Sequence, residues 1–273
     1  MPLTVASVNV NGIRAARQRG GVAWLAEHGA DILCLQEVRA DRAQLEAALG
    51  DCSLATMHIA HAPSNTAGRA GVAILSRFAP TDCRIGIGEF ETDGRWIEAD
   101  YLTDQGLLSV VSVYLHTGEA GTERQDVKYR FMDAMHVRMD QLAARSARGE
   151  GEAILTGDLN VAHREADLKN WRGNRGKSGF LPDERAYFDR WLGIEEPGDW
   201  VDLGRKHGGD RDGPYTWWSW QGKAFDNDTG WRIDYQLATH RLAARSVAVV
   251  VGRAPTYAQR WSDHAPVTVT FAY

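Results

Sequence analysis

The sequence of 273 residues has few cysteines and no long apolar runs, and each shortage excludes a class of protein. Its three cysteines, Cys34, Cys52 and Cys83, are widely spaced and odd in number, which fits neither a disulfide framework nor a zinc ligand set. No apolar run reaches the ~18 residues of a membrane span, and the N-terminus lacks the basic and apolar regions of an export signal. We therefore expect a cytoplasmic protein that does not bind a membrane.

The chain also lacks an excess of positive charge. Lys and Arg number 31 against 36 for Asp and Glu, so the net charge is −5. This balance excludes a histone-like polycation, although a local basic patch is enough to bind nucleic-acid phosphates. Hydrophobic residues at 44% and charged residues at 25% are typical of a folded globular chain. Because no repeat, low-complexity tract or linker divides the sequence, we expect one domain over residues 1–273.

Short runs rich in valine, isoleucine and leucine recur along the chain and predict β-strands. They cover residues 3–8, 31–35, 71–75, 96–101, 107–115, 153–156, 233–238, 246–251 and 267–271. The run LLSVVSVYL is almost continuously apolar, which indicates a strand that is covered on both faces of its sheet. The pattern predicts a layered sandwich.

Three segments have the periodicity and end residues of helices. The longest begins at Thr122, where a Thr-x-x-Gln capping box is expected, and Gly149 ends it. A second begins at Pro182 and ends before Gly193, as capping preferences favour. A third lies within residues 13–28 and is interrupted by adjacent glycines.

Most of the informative polar residues lie at or just beyond the ends of the apolar runs, one lies within the run over residues 233–238, and three lead into the last run. They are Asn9, Asn11, Gln36, Glu37, Tyr114, His116, Asp158, Asn160, Asp234, Ser262, Asp263 and His264. In open α/β sheets such strand ends converge on one crevice, which is the usual ligand site. Four of these residues are carboxylates, which repel one another unless a cation neutralises them. An oxygen-only ligand set suits a hard ion such as Mg²⁺.

Each of these residues also has a structural interpretation when it is taken alone. The GDLN tetrapeptide that contains Asp158 is typical of a turn. Asp234 and His264 fit a buried polar pair, and Tyr114 fits a core aromatic residue. Their recurrence together favours a catalytic site.

Several motifs resemble those of one known family. GDLN and SDHAPV occur across the endonuclease/exonuclease/phosphatase superfamily, whereas LQEVR, DLKNWRGN with GFLPDER, and YTWWSW followed by GWRIDY are characteristic of its DNA-repair branch. Over residues 3–271 the chain resembles the exonuclease III family of apurinic/apyrimidinic endonucleases. The resemblance implies a DNase I-like, four-layer α/β sandwich, in which two mixed β-sheets pack face to face and are flanked by helices.

The resemblance further implies a metal site. Glu37 matches the principal metal ligand, Asn11 supports it, and Asp263 lies nearby as a further ligand or as a group that orients one. The implied cofactor is Mg²⁺, with Mn²⁺ as the alternative.

Five matched residues have implied catalytic roles. Asp158, oriented with Asn160, positions or deprotonates the attacking water. Asp234 holds His264 by one ring nitrogen and leaves the other for a phosphate oxygen. Tyr114 contacts the same phosphate, either as a hydroxyl or as a phenolate.

Substrate contacts are implied at the matched tryptophans and in a polar segment, residues 161–180, which we call the basic loop. Trp217 and Trp231 line the pocket that receives an abasic nucleotide, which is easily extruded because no base stacks or pairs. The expected DNA contacts are Asn170, Arg172 and Lys177 in the basic loop, and Arg124 and Lys128 at the start of the Thr122 helix.

The leading hypothesis is a Mg²⁺-dependent hydrolase, acting as a monomer, that incises duplex DNA on the 5′ side of abasic sites. The resemblance adds 3′-to-5′ exonuclease activity and the cleaning of blocked 3′ ends. A phosphomonoesterase or phospholipid diesterase on the same scaffold is disfavoured because no membrane-facing segment occurs. A catalytically silent nucleic-acid-binding regulator is disfavoured because all the expected acidic and histidine positions are filled.

Overall fold

The computed structural model describes residues 2–50 and 52–273. Within them the strands are β1 (Leu3–Asn9), β2 (Ile32–Gln36), β3 (His58–Ala62), β4 (Val72–Ser76), β5 (Asp82–Ile85), β6 (Trp96–Thr103), β7 (Gly106–Tyr114), β8 (Glu152–Asp158), β9 (Trp200–Asp202), β10 (Asp234–Thr239), β11 (Ser246–Val251) and β12 (Val267–Phe271). The helices are α1 (Ile13–Gln18), α2 (Gly21–His28), α3 (Arg42–Leu49), α4 (Glu123–Ala147), α5 (Trp171–Asn174), α6 (Pro182–Leu192), α7 (Leu203–Gly208) and α8 (His240–Ala244). Short 3₁₀ turns lie at Ser53–Thr56, Glu165–Asp167 and Tyr257–Gln259.

The strands form two mixed sheets. In the first the order is β11-β12-β1-β2-β4-β3, and in the second it is β5-β6-β7-β8-β10-β9. Each sheet has one parallel pair at its centre, β1 with β2 and β7 with β8, and the other neighbours are antiparallel. The carboxyl ends of these two parallel pairs define one end of the molecule.

Three apolar clusters produce four layers. The first lies between the sheets and includes Val5 and Val110. The second packs α4 and α6 on the outer face of the second sheet, and the third packs α1, α2 and α3 on the outer face of the first. Strand β7 is almost continuously apolar because both of its faces are buried. Val110 faces the other sheet, whereas Val111 and Val113 face α4. The predicted fold class is confirmed.

The nine predicted strands are confirmed, and three further strands were missed. Strands β3 and β5 lie at sheet edges and carry exposed polar residues such as His58 and Asp82, and β9 has three residues, so none gives an apolar run. The helices predicted from Thr122 and from Pro182 are confirmed, as are the two that share residues 13–28.

The capping box predicted at Thr122 is wrong. The Thr122 hydroxyl donates to the Glu119 carbonyl at 2.9 Å, and the Gln125 amide turns inward to donate to Glu184 at 3.0 Å. A capping box occurs instead at the start of α3, where Asp41 and Gln44 bind each other's backbone N–H groups.

Across the described ranges, no helix combines the length and apolar character that a membrane span needs.

We expect Phe131→Ala to lower the free energy of unfolding by about 3–5 kcal/mol, because Phe131 is fully buried between α4 and the second sheet. Val137→Ala on the exposed side of the same helix should cost about 0.5 kcal/mol or less. Urea unfolding measures both values. Equal losses in the two variants would contradict this packing.

Candidate active site

Three polar side chains form a row across the second sheet. Tyr114 at the end of β7 is paired with Asp158 at the end of β8, and Asp158 is paired with Asp234 at the start of β10. In the first sheet, Asn9 is the last residue of β1 and is paired with Gln36, the last residue of β2. Glu37 is the next residue after Gln36. The predicted strand-end groups therefore lie on both sheets at the same end of the sandwich.

Asn9 joins the two sheets at this point. Its fully buried side-chain amide donates to Glu37 Oε1 at 2.7 Å and to Asp158 Oδ2 at 2.9 Å. From the sequence alone, Asn9 is predicted to lie at a strand end and has no assigned role. Its pairing with Gln36 places it beside Glu37, but this pairing can be recognised only once β1 and β2 are known to be parallel neighbours.

The backbone turns sharply where the strands end. Asn11, Glu37 and Asn160 have φ values of 48°, 50° and 46°, in the left-handed region that non-glycine residues seldom adopt. Such conformations cost free energy and cluster at functional sites, where surrounding contacts hold them. For Asn160 those contacts include its N–H to Asp158 Oδ1 at 2.9 Å and its side-chain amide to the Leu115 carbonyl at 2.8 Å.

The environment of Asp158 favours a neutralising cation. The pKa of Asp158 is raised to about 7; burial is the largest cause, the carboxylates of Asp234 and Glu37 act in the same direction, and His264 opposes them. Ligand atoms of Glu37, Asp158 and His264 all lie within 4.8 Å of one another. The Arg39 guanidinium already contacts Glu37 Oε2 and compensates part of this charge. Carboxylate oxygens are the preferred ligands of a hard divalent ion, so the residues present fit the expected metal.

His264 is held by Asp234. Its Nδ1 lies 2.9 Å and 3.1 Å from the two Asp234 carboxylate oxygens, and its Nε2 lies 3.7 Å from Asp158 Oδ2. Burial alone lowers the pKa of His264, but the carboxylates of Asp234 and Asp158 outweigh burial and raise it to about 10. The imidazolium therefore has an Nε2–H directed toward the centre of the site.

Asn11 and Asp263 lie together at one side of the site. The Asn11 amide donates to Asp263 Oδ1 at 2.7 Å, and the Trp217 indole N–H donates to Asp263 Oδ2 at 3.1 Å. The Asp263 carboxylate is thus held by two N–H donors. Both residues reach the site, and their roles beside a metal stay a prediction.

Tyr114 is half-buried beside the carboxylates. Burial raises the pKa of Tyr114 above its usual range, the carboxylates of Glu37 and Asp158 act in the same direction, and Arg95 opposes them. The Arg95 guanidinium lies 4.6 Å from the centre of the Tyr114 ring. At neutral pH these surroundings favour the hydroxyl over the phenolate.

Two tryptophans form a wall next to His264. Trp217 and Trp231 are paired through their backbones, and their rings meet edge to face at 6.3 Å between centres. The Trp217 ring is 6.5 Å from the His264 ring, and both tryptophans are half-buried. Trp218, in contrast, is buried against Phe225 and belongs to the core.

The basic loop is attached to this wall. Leu168 is bridged to Trp231, and the Lys169 N–H donates to the Gly230 carbonyl at 3.1 Å. The predicted contacts Asn170, Arg172 and Lys177 are exposed. Arg172 stacks on the Trp171 ring at 4.4 Å, so its guanidinium is held at the surface of the loop.

The two residues predicted on α4 differ in their surroundings. Arg124 is 80% exposed and lies 3.3 Å from Glu119. Lys128 is fully buried, and its ammonium lies 2.6 Å from Glu184 Oε1. The prediction that Lys128 contacts DNA is therefore wrong, because its side chain points into the molecule and its charge is already paired.

Comparisons with known proteins agree with this geometry. Residues 6–264 match the Endonuclease/Exonuclease/phosphatase family. The chain is 35% identical to an exodeoxyribonuclease of Bacillus subtilis over 96% of both chains. It is similar to an AP endonuclease from Archaeoglobus fulgidus, with a TM-score of 0.82 and 27% identity over 99% of this chain and 100% of that one. It is also similar to the 3′ phosphatase NExo from Neisseria bound to a product DNA hairpin, with a TM-score of 0.81, 27% identity and the same coverage.

We expect Asn9→Asp to lower the free energy of unfolding by about 1–3 kcal/mol in EDTA, because it replaces a shared donor with a third buried carboxylate. The matched control is Asn227→Asp at an exposed position, which should leave stability nearly unchanged. Urea unfolding at neutral pH compares them. If Asn9→Asp is as stable as the control, Asn9 does not bridge the carboxylates.

Proposed function

The chain belongs to the endonuclease/exonuclease/phosphatase family, and on that premise we propose that it is a DNA-repair phosphodiesterase that incises duplex DNA 5′ to abasic sites. We also propose the 3′-to-5′ exonuclease activity and the cleaning of blocked 3′ ends that the exonuclease III resemblance implies. The observation that carries the proposal is the convergence of Glu37, Asp158 and His264 at the joined ends of the two sheets.

The proposed chemistry is in-line displacement at phosphorus. Glu37 would hold Mg²⁺, with Mn²⁺ as the alternative, supported by Asn11 and with Asp263 as a further ligand or orienting group. The bound ion supplies Lewis-acid polarisation of the scissile phosphate. Asp158 positions the attacking water or takes its proton, and the Asn160 N–H on Oδ1 fixes the orientation of the carboxylate.

His264 and Tyr114 would bind the phosphate itself. The Nε2–H of His264 donates to a phosphate oxygen as charge develops, while Asp234 fixes the ring through Nδ1. The Tyr114 hydroxyl donates to the same phosphate from the neighbouring strand. Asn11 and Asp263 orient the groups at the edge of the metal site.

Substrate selection is proposed at the tryptophan wall and the basic loop. Trp217 and Trp231 would receive the extruded abasic sugar, which costs little to unstack because it carries no base. Asn170, Arg172, Lys177 and, on α4, Arg124 would contact phosphates of the duplex.

The cellular setting is also a proposal. Cys34, Cys52 and Cys83 are all free in the described residues, as suits the reducing cytoplasm. We propose that the protein works there as a monomer and as a single domain.

A duplex with a tetrahydrofuran abasic analogue tests the proposed activity. We expect a single nick on the 5′ side of the analogue in Mg²⁺ and none in EDTA. Glu37→Ala and Asp158→Asn should each slow nicking by about 10² or more, because each removes a charged group at the reacting phosphate. Glu46→Gln, at an exposed carboxylate on α3, is the control and should keep the wild-type rate.

Two outcomes would reject this assignment. One is the absence of a Mg²⁺-dependent nick, or a nick that Glu37→Ala and Asp158→Asn leave unchanged. The other is release of phosphate from inositol phosphates with the duplex untouched, which would favour a phosphomonoesterase.

Arg172→Ala and Lys177→Ala should weaken DNA binding and reduce the slope of log affinity against log salt by about 1 each, because each removes a phosphate contact. Arg148→Ala, at the end of α4, should leave the slope unchanged. Fluorescence anisotropy over a salt series gives these slopes. A slope equal to that of the wild type would place the basic loop outside the DNA interface.

A further inference from the structure

A fully buried ion pair joins two helices behind the candidate active site. The Lys128 ammonium on α4 lies 2.6 Å from Glu184 Oε1 on α6, and neither side chain is exposed. Removing two charges from water costs several kcal/mol per ion, and well-packed apolar side chains often stabilise a core as well or better. Stability alone therefore does not account for the charges.

The ammonium of Lys128 also holds the backbone beside the catalytic residues. It donates to the carbonyl of Asn160 at 2.9 Å and to the carbonyl of Thr117 at 3.2 Å. Its three N–H bonds are thus all used. Asn160 follows Asp158 by two residues, and Thr117 follows Tyr114 by three, so one ammonium fixes the loops after β7 and β8.

The carboxylate of Glu184 holds the end of the basic loop. Its Oε2 accepts the backbone N–H groups of Gly179 at 2.7 Å and Leu181 at 3.0 Å. Gly179 packs against the Trp231 ring, and a Cβ there would lie 3.1 Å from that ring. Glu184 therefore fixes the point where the basic loop returns to the tryptophan wall.

The packing around the pair is close. Gly118 has a φ of 75°, and a Cβ at this position would lie 2.5 Å from Ser178 Oγ and 2.9 Å from Lys128 Cδ. The loop after β7 thus touches both the basic loop and the ammonium. A shift of any one of these segments would disturb the other two.

We infer that Lys128 and Glu184 are positioning residues that lock the basic loop to the backbone of Asn160, so that DNA held by the loop is aligned with Asp158. This inference rests on the proposed function. An apolar pair could fill the space, but it could not bind two carbonyls on one side and two N–H groups on the other. The pair acts on alignment for chemistry, since neither residue reaches the surface.

The test compares Lys128→Met/Glu184→Gln with Glu98→Gln/Arg138→Met. The second pair is a matched control, because Arg138 lies on the same helix and binds the buried Glu98 at 2.6 Å without touching the loops after β7 and β8. For each variant we would measure the melting temperature, the Kd for uncleaved abasic duplex, and the single-turnover nicking rate at saturating protein. Glu184→Asp is added because it keeps both charges while shortening the reach of the carboxylate.

We expect Lys128→Met/Glu184→Gln and Glu184→Asp to slow the single-turnover rate by about tenfold or more with little change in Kd, because misalignment by about 1 Å is costly. The control pair should lose stability but keep its rate. Three results would overturn the inference. The folded Lys128 and Glu184 variants could keep the wild-type rate, the control pair could slow nicking equally, or the Lys128 and Glu184 variants could lose affinity for DNA without slower nicking. If the double variant does not fold, Glu184→Asp decides. A wild-type protein that fails to nick contradicts the proposed function, whereas a wild type matched by its variants contradicts only the coupling.

Discussion

The central constraint on this structure is that carboxylates from two different sheets lie close together in the buried candidate active site. Glu37 and Asp158 approach each other because their strands end at the same level, and the shared amide of Asn9 separates them. Without compensation such an arrangement is unstable, since burial and mutual repulsion both oppose the charged forms. Arg39 and His264 supply part of the compensation from the protein. The remaining demand for positive charge suits this site to a divalent cation, and the bound cation would in turn attract an anionic phosphate.

The four-layer packing serves this constraint. Each sheet is covered by helices on its outer face and by the other sheet on its inner face, so the strands are rigidly placed and their ends stay in register. Apart from Arg124 on α4, the groups that would select DNA lie on less regular segments around this core. The basic loop is tied to the tryptophan wall at Leu168 and to the loop after β8 through Lys128 and Glu184. The site is therefore formed by strand ends that the packed sheets hold in place and by surrounding segments that are hydrogen-bonded to them.

Much of this arrangement could be predicted from the sequence. Continuous apolar runs such as LLSVVSVYL indicated doubly covered strands, and the residues after them indicated the site; the exonuclease III resemblance is confirmed by the family match and the relatives. Strands β3, β5 and β9 were missed because edge or very short strands need no apolar run. Lys128 was misjudged because its burial depends on Glu184, 56 residues away in sequence. The bridge made by Asn9 likewise depends on the packing of one sheet on the other, which local patterns do not encode.

The central claim is that residues from both sheets form a binding site for a divalent cation at the candidate active site. The most direct measurement is the anomalous difference map of a crystal soaked in Mn²⁺, which scatters anomalously and occupies sites of the same donor chemistry. The account predicts a peak in contact with a Glu37 carboxylate oxygen, among Glu37, Asp158 and His264. A crystal in which Mn²⁺ binds only at other positions would contradict it.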